Sequence, residues 1–137
     1  MSRLVMIEQK DVSDYWEKLR DLFKEAMAEG HGEYLLGDIL SQALRGNLQL
    51  ACIEDGDKIL MALALEVKKY PAFKVLYVTA MAGKRMAELF KEHYQEIAKF
   101  AKSCGASKFE AAGSPAMTKM LCGSGWHDVN QTVRFDI

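Results

Sequence analysis

Between Lys74 and Gly105 the chain runs through an apolar stretch (KVLYVTA), a basic turn containing glycine (MAGKR) and a long segment of helical period. Such a junction constrains the fold more than any other feature here. A strand that feeds a helix through a tight turn leaves the first backbone N–H groups of the helix unpaired at the positive end of its dipole. That corner can cradle a phosphate, so an anionic ligand is the first functional expectation.

The segments around the junction extend the pattern. Leu4 to Ile7 reads as a short first strand. Asp11 reads as an N-cap before an amphipathic helix carrying Val12, Trp16, Leu19 and Phe23 on one face and ending near Gly30. Tyr34 to Leu44 predicts a second helix, stopped at Gly46-Asn47. Leu48 to Ile53 and Lys58 to Val67 predict two strands joined by a turn at Asp55-Gly56, and ILMALALEV has no polar alternate face, as a strand covered on both sides requires. Tyr70-Pro71 marks another turn before the strand Lys74 to Ala80. Lys84 to Ser103 predicts one continuous helix, Lys108 to Ala112 a fifth strand, and Ser114-Pro115 the cap and first turn of a short helix ending at Cys122. The tail, His127 to Ile137, predicts a last strand through Val129, Val133 and Phe135.

Composition narrows the function classes. A chain of 137 residues predicts a single domain, and a net charge of -1 makes a nucleic-acid partner unexpected. No apolar run is long enough to span a bilayer, and MSRLVMIEQ lacks the apolar core of a signal peptide, so the expectation is a soluble cytoplasmic protein without a membrane partner. Three widely spaced cysteines and three scattered histidines match no metal-ligand spacing, so no metal site is expected.

In element order and at its hinge, the chain resembles the GNAT superfamily of acetyl-CoA-dependent N-acetyltransferases. VLYVTAMAGKRMAELF matches that family's fourth strand, pyrophosphate loop and third helix, and AKSCGASKFEAAG the following helix end and strand. MLCGSGWHDV resembles its closing segment. The resemblance implies a mixed, mostly antiparallel α/β sheet with helices on both faces and a parallel crossover through the long helix. It also implies acetyl-CoA as cofactor and a small-molecule or protein amine as acceptor. A closer likeness, to small GNAT-like proteins of tailed phages and prophages, rests on Tyr70-Pro71, Ala82-Gly83 and Gly125-Trp126. It implies an alternative in which catalysis is lost and the protein acts through its surface, virion-associated or bound to a phage or host protein. A homo-oligomer is compatible with either.

The resemblance also places the site. Val78, Ala80, Met81, Ala82, Gly83, Lys84, Arg85 and Met86 fall on the cofactor-binding strand and loop. The loop departs from the family pattern, with Ala80 where Gln or Arg is usual, Arg85 where a small residue is usual, and only Gly83 kept. Glu66 is either a general base or a strand-end carboxylate meeting solvent, and Glu110 offers the same choice in the fifth strand. The family's usual tyrosine acid has no counterpart between Pro115 and Cys122, leaving Tyr77 as a substitute or as a packing residue. His31, between Gly30 and Gly32, either faces the acceptor or is a solvent-facing loop residue.

Overall fold

The computed structural model describes residues 1–137. Five strands form one sheet in the order β1-β2-β3-β4-β5: β1 (Arg3–Met6), β2 (Gln49–Asp55), β3 (Lys58–Lys69), β4 (Lys74–Gly83) and β5 (Lys108–Ala111). The first four are antiparallel neighbours and β5 joins β4 in parallel, through the predicted helical crossover.

Helices α1 (Val12–Ala28) and α2 (Leu36–Leu44) cover one face of the sheet. They can lie close because the fully buried positions of β3 and β4 there are the small Ala62, Ala64 and Ala80, against Leu19 and Phe23 of α1. The other face is larger and aliphatic, with Met61, Leu63, Leu65 and Leu76 packed under α3 (Met86–Glu92), α4 (Tyr94–Ser103) and α5 (Pro115–Cys122). Met61 through Leu65 are at most 1% exposed, so β3 is the doubly covered strand its composition predicts.

Local signals hold in several places. The Gly56 turn has φ +60 between paired Asp55 and Lys58. Asn47 N–H donates back to Gln42 O at 2.9 Å, closing α2 where Gly46 takes φ +80. Ser114 Oγ accepts from Met117 N–H at 3.2 Å with Pro115 in the first turn.

Two expectations are corrected. The long helix is two helices, because His93 (φ −104, ψ 14) leaves helical geometry and its buried ring turns inward, Nε2 lying 2.9 Å from Ser2 Oγ on the first strand's leading end. The tail forms no strand, and Val129, Val133 and Phe135 are 70, 90 and 91% exposed. Trp126 packs between Phe90 and Phe109, and β5 spans only Lys108 to Ala111, a short edge for the residues beyond it to pair with. The tail instead crosses to the α1–α2 loop, where Arg134 bonds the His31 carbonyl and the Glu33 carboxylate.

Candidate functional site

The site is organised by register. Glu66 of β3 lies opposite Tyr77 of β4, and Tyr77 lies opposite Glu110 of β5, so residues distant in sequence form one row across three strands on the α1–α2 face. One step along, Ala64 pairs with Ala80 and Leu65 with Val78, leaving Thr79 as an extra residue in β4. A bulge of this kind shifts the side-chain alternation by one. Before it Leu76 and Val78 face α3 and α4; after it Met81 does, while Ala80 turns to α1.

At this bulge β4 and β5 part. The last parallel pair is Val78 with Ala111, and β4 continues through Gly83 with no β5 partner. The edge so freed carries small residues, Ala80, Ala82 and Gly83, and leads to Lys84 and Arg85, both exposed at the start of α3. Backbone groups on an open edge, a helix start and two cations form a donor set suited to a long thiol carrier ending in a diphosphate, so the residues present fit a CoA-type cofactor. Arg85 holds left-handed backbone (φ 56, ψ 39) and pairs with Glu88 at 3.5 Å, while Lys84 makes no ion pair.

Gly83 also meets a packing demand within the sheet. Its φ is +145, and a Cβ there would lie 2.9 Å from Met61 Cα and closer still to the Leu60 carbonyl oxygen. Leu60 is itself extra in the β2–β3 register, where Glu54 pairs with Ile59 and Ile53 with Met61. The glycine is therefore demanded by the close approach of β3, on the side of β4 away from the parted edge.

The row is electrostatically distinctive. Burial first, then the charges of Glu110 and Glu66, push the Tyr77 phenol above its ordinary value, so it holds its proton at neutral pH. Tyr34, unmarked in the sequence except as an apolar helical position, is raised by burial and then by Glu66 and Asp38. Thr79 Oγ1 lies 3.5 Å from Glu66 Oε1, at the outer limit of a hydrogen bond, and Tyr70 O–H donates to Glu110 Oε2 at 2.7 Å. Glu66 is half-buried rather than free in solvent. The Lys68 ammonium sits 3.5 Å from the centroid of the Tyr77 ring.

The structure thus brings Glu66 and Tyr77 together with Glu110, and sets Val78 to Met86 along the adjoining edge and turn. His31 stays apart. It is exposed in the α1–α2 loop and bonds through its backbone, with its N–H to Glu33 Oε1 at 2.9 Å. Sequence reasoning missed Tyr34, Lys68 and Thr79; a hydroxyl inside an otherwise apolar strand was the one available sign of the bulge.

No family model and no curated protein matches this sequence. Solved structures do. The aminoglycoside N-acetyltransferase AAC(6')-Iy in complex with CoA is similar with TM-score 0.74 at 10% identity, over 100% of this chain and 95% of that one. A predicted acetyltransferase with acetyl-CoA from Clostridium acetobutylicum is similar with TM-score 0.68 at 16% identity, over 99% and 96%. Glucosamine-6-phosphate N-acetyltransferase from Arabidopsis thaliana is similar with TM-score 0.65 at 14% identity, over 99% of both chains. At these identities the likeness establishes the fold, that of the GNAT acetyltransferases.

Proposed function

We propose that this protein is an acetyl-CoA-dependent N-acetyltransferase acting on a primary amine. The observation that carries the reading is the parting of β4 from β5 at the Thr79 bulge, directly beside the Glu66, Tyr77 and Glu110 row. Neighbours of the same fold whose names include CoA or acetyl-CoA support it.

Val78, Ala80, Met81 and Ala82 would hold the carrier arm along the free edge of β4. The N–H groups of the turn from Gly83 to Met86, with the Lys84 and Arg85 cations, would face the diphosphate. When bound, the cofactor supplies an activated acetyl group as a thioester. Glu66 takes the proton from the incoming amine, directly or through one water, and its half-burial keeps it near that proton's path. Tyr77, a phenol protonated at neutral pH and held further from ionisation by burial, would donate to the departing sulfur. The α1–α2 loop, with His31, would form the acceptor wall.

Calorimetric titration with acetyl-CoA and with CoA tests the cofactor half. Binding should weaken about tenfold in Lys84→Glu/Arg85→Glu, since charge reversal at a partly screened phosphate contact is worth ~1–2 kcal/mol. No heat at millimolar cofactor would overturn the reading and favour a protein that acts through its surface. On any amine substrate found, Glu66→Gln should lower kcat by about a hundredfold or more with cofactor affinity unchanged.

A further inference from the structure

We infer that Ser2, His93 and Glu96 form a second reactive centre, a serine esterase site for esters of short apolar acids. It lies at the β1 edge of the sheet, on the α3–α4 face, away from the Glu66 row and independent of acetyl transfer.

Ser2, Leu4 and Met6 alternate along the leading end of β1, so they share one face, and Leu4 and Met6 pack against the core beneath α3 and α4. On α4, Glu96, Lys99, Phe100 and Ser103 recur at spacings of three and four and share one side. Between the two rows runs an open groove of about 390 Å³, lined by Leu4 and Met6 and by those four residues. Its floor is apolar, which suits an acyl chain.

Ser2 extends the β1 row towards His93, one helical turn before Glu96. The His93 ring is only 6% exposed, with Nε2 2.9 Å from Ser2 Oγ and Nδ1 3.5 Å from Glu96 Oε1. An ionised carboxylate only accepts, so in the neutral ring Nδ1 carries the proton and Nε2 offers its lone pair to the serine hydroxyl. Nucleophile, base and orienting acid then stand in the order that acyl transfer through serine requires. Glu92 Oε1 is a second, longer contact of the hydroxyl at 3.3 Å. Beside Ser2, Arg3 Nε and Nη2 both donate to Glu54 Oε1, at 2.9 and 2.7 Å, and anchor the end of the strand. Lys99 makes no ion pair and is the groove's cation for a developing oxyanion.

The step balances. Ser2 Oγ gives its proton to His93 Nε2 and bonds the ester carbon; the ester C–O bond breaks and the departing oxygen takes that proton. Water then gives a proton to the same nitrogen and attacks the acyl-serine, and Ser2 regains its proton as the carboxylic acid leaves.

A fluorophosphonate probe applied to the full chain, read by peptide mass spectrometry, should modify Ser2 about a hundredfold or more faster than Ser103. Ser103 is the control, since it lines the same groove but donates its hydroxyl to Phe100 O at 2.6 Å and has no histidine partner. His93→Gln should remove the difference. Equal labelling of the two serines, or a preference for Ser2 that survives in folded His93→Gln, overturns the proposal. Because His93 is buried, turnover of p-nitrophenyl butyrate in two milder variants decides the matter if that protein does not fold. Ser2→Ala should abolish turnover with circular dichroism unchanged, and Glu96→Gln should lower kcat about tenfold or more at constant KM, because the carboxylate orients the ring and not the ester. No turnover by the native protein, turnover kept by Ser2→Ala, or a Glu96→Gln effect confined to KM refutes the site. No arm contains acetyl-CoA, so failure of the acetyl-transfer reading leaves these results untouched.

Discussion

Replacing Gly83 with alanine separates the two jobs a glycine at this corner could have. In the structure the added Cβ meets Met61 Cα at 2.9 Å and overlaps the Leu60 carbonyl oxygen, and neither atom can move without breaking the β3–β4 pairing. Backbone at φ +145 adds strain for any residue with a side chain. Overpacking against fixed backbone costs about 1–3 kcal/mol and a forbidden dihedral about 1–3 more, so Gly83→Ala should destabilise by ~2–6 kcal/mol. With a urea slope of about 2 kcal/mol per molar, the midpoint should fall by roughly 1–3 M. Gly32→Ala is the comparison, because φ there is +87 but nothing lies within 4 Å of the added Cβ, leaving strain alone, about 1–2 kcal/mol. Urea unfolding followed by circular dichroism, without any ligand, reads both. If Gly83→Ala loses no more than Gly32→Ala, β3 does not press on this residue, and the glycine returns to the role of a phosphate cradle.

Three further outcomes follow from the same contacts. Ser114→Ala removes the hydroxyl that accepts from Met117 N–H and should cost about 1 kcal/mol in chemical denaturation. Burial pushes the Cys52 thiol up to about 12, so at mild alkaline pH a disulfide reagent should label exposed Cys122 promptly and Cys52 only after unfolding. The Glu33 carboxyl, held chiefly by its bond to Arg134, is lowered from 4.5 to about 2. A depressed carboxylate stabilises its contact fully above the ordinary value and loses that contribution as pH falls through the lowered one. The tail should therefore stay docked by NMR at pH 4 and release towards about 2. In Arg134→Ala, Glu33 should titrate most of the way back to its ordinary range; an unmoved titration would mean that the tail does not rest there.

Much of the architecture was legible because its causes are local. ILMALALEV suited a strand covered on both sides, although Ala, Leu and Met also permit a helix and context decided between them; Asp55-Gly56 turned where a tight hairpin needs positive φ, and Ser114-Pro115 capped a helix. What the sequence hid depends on contacts that no local window contains. The apolar period runs through Phe90, Tyr94 and Ile97 without a gap, yet the helix breaks at His93, whose buried ring meets Ser2, far away in the chain. Val129, Val133 and Phe135 alternate as a strand should, but alternation makes a strand only where a neighbouring edge offers hydrogen bonds, and the tail is drawn instead to Glu33.

The candidate site shows the same division more sharply. Glu66 and Tyr77 were identifiable one at a time, as polar groups in apolar strands, but each had an equally good structural explanation. Their relation comes from register: pairing of β3, β4 and β5 sets Glu66, Tyr77 and Glu110 side by side, and the charges of both carboxylates then help keep the tyrosine protonated. A single inserted residue, Thr79, decides where the row ends. By shifting the alternation it lets β4 present Ala80 to α1 and Met81 to the opposite core while its outer edge runs on beyond β5. Removing that residue would restore unbroken alternation, with Ala80 following Val78 and every later side chain kept on its present face. The bulge, whose Thr79 hydroxyl lies 3.5 Å from Glu66 Oε1, is thus the boundary between the row and the open edge.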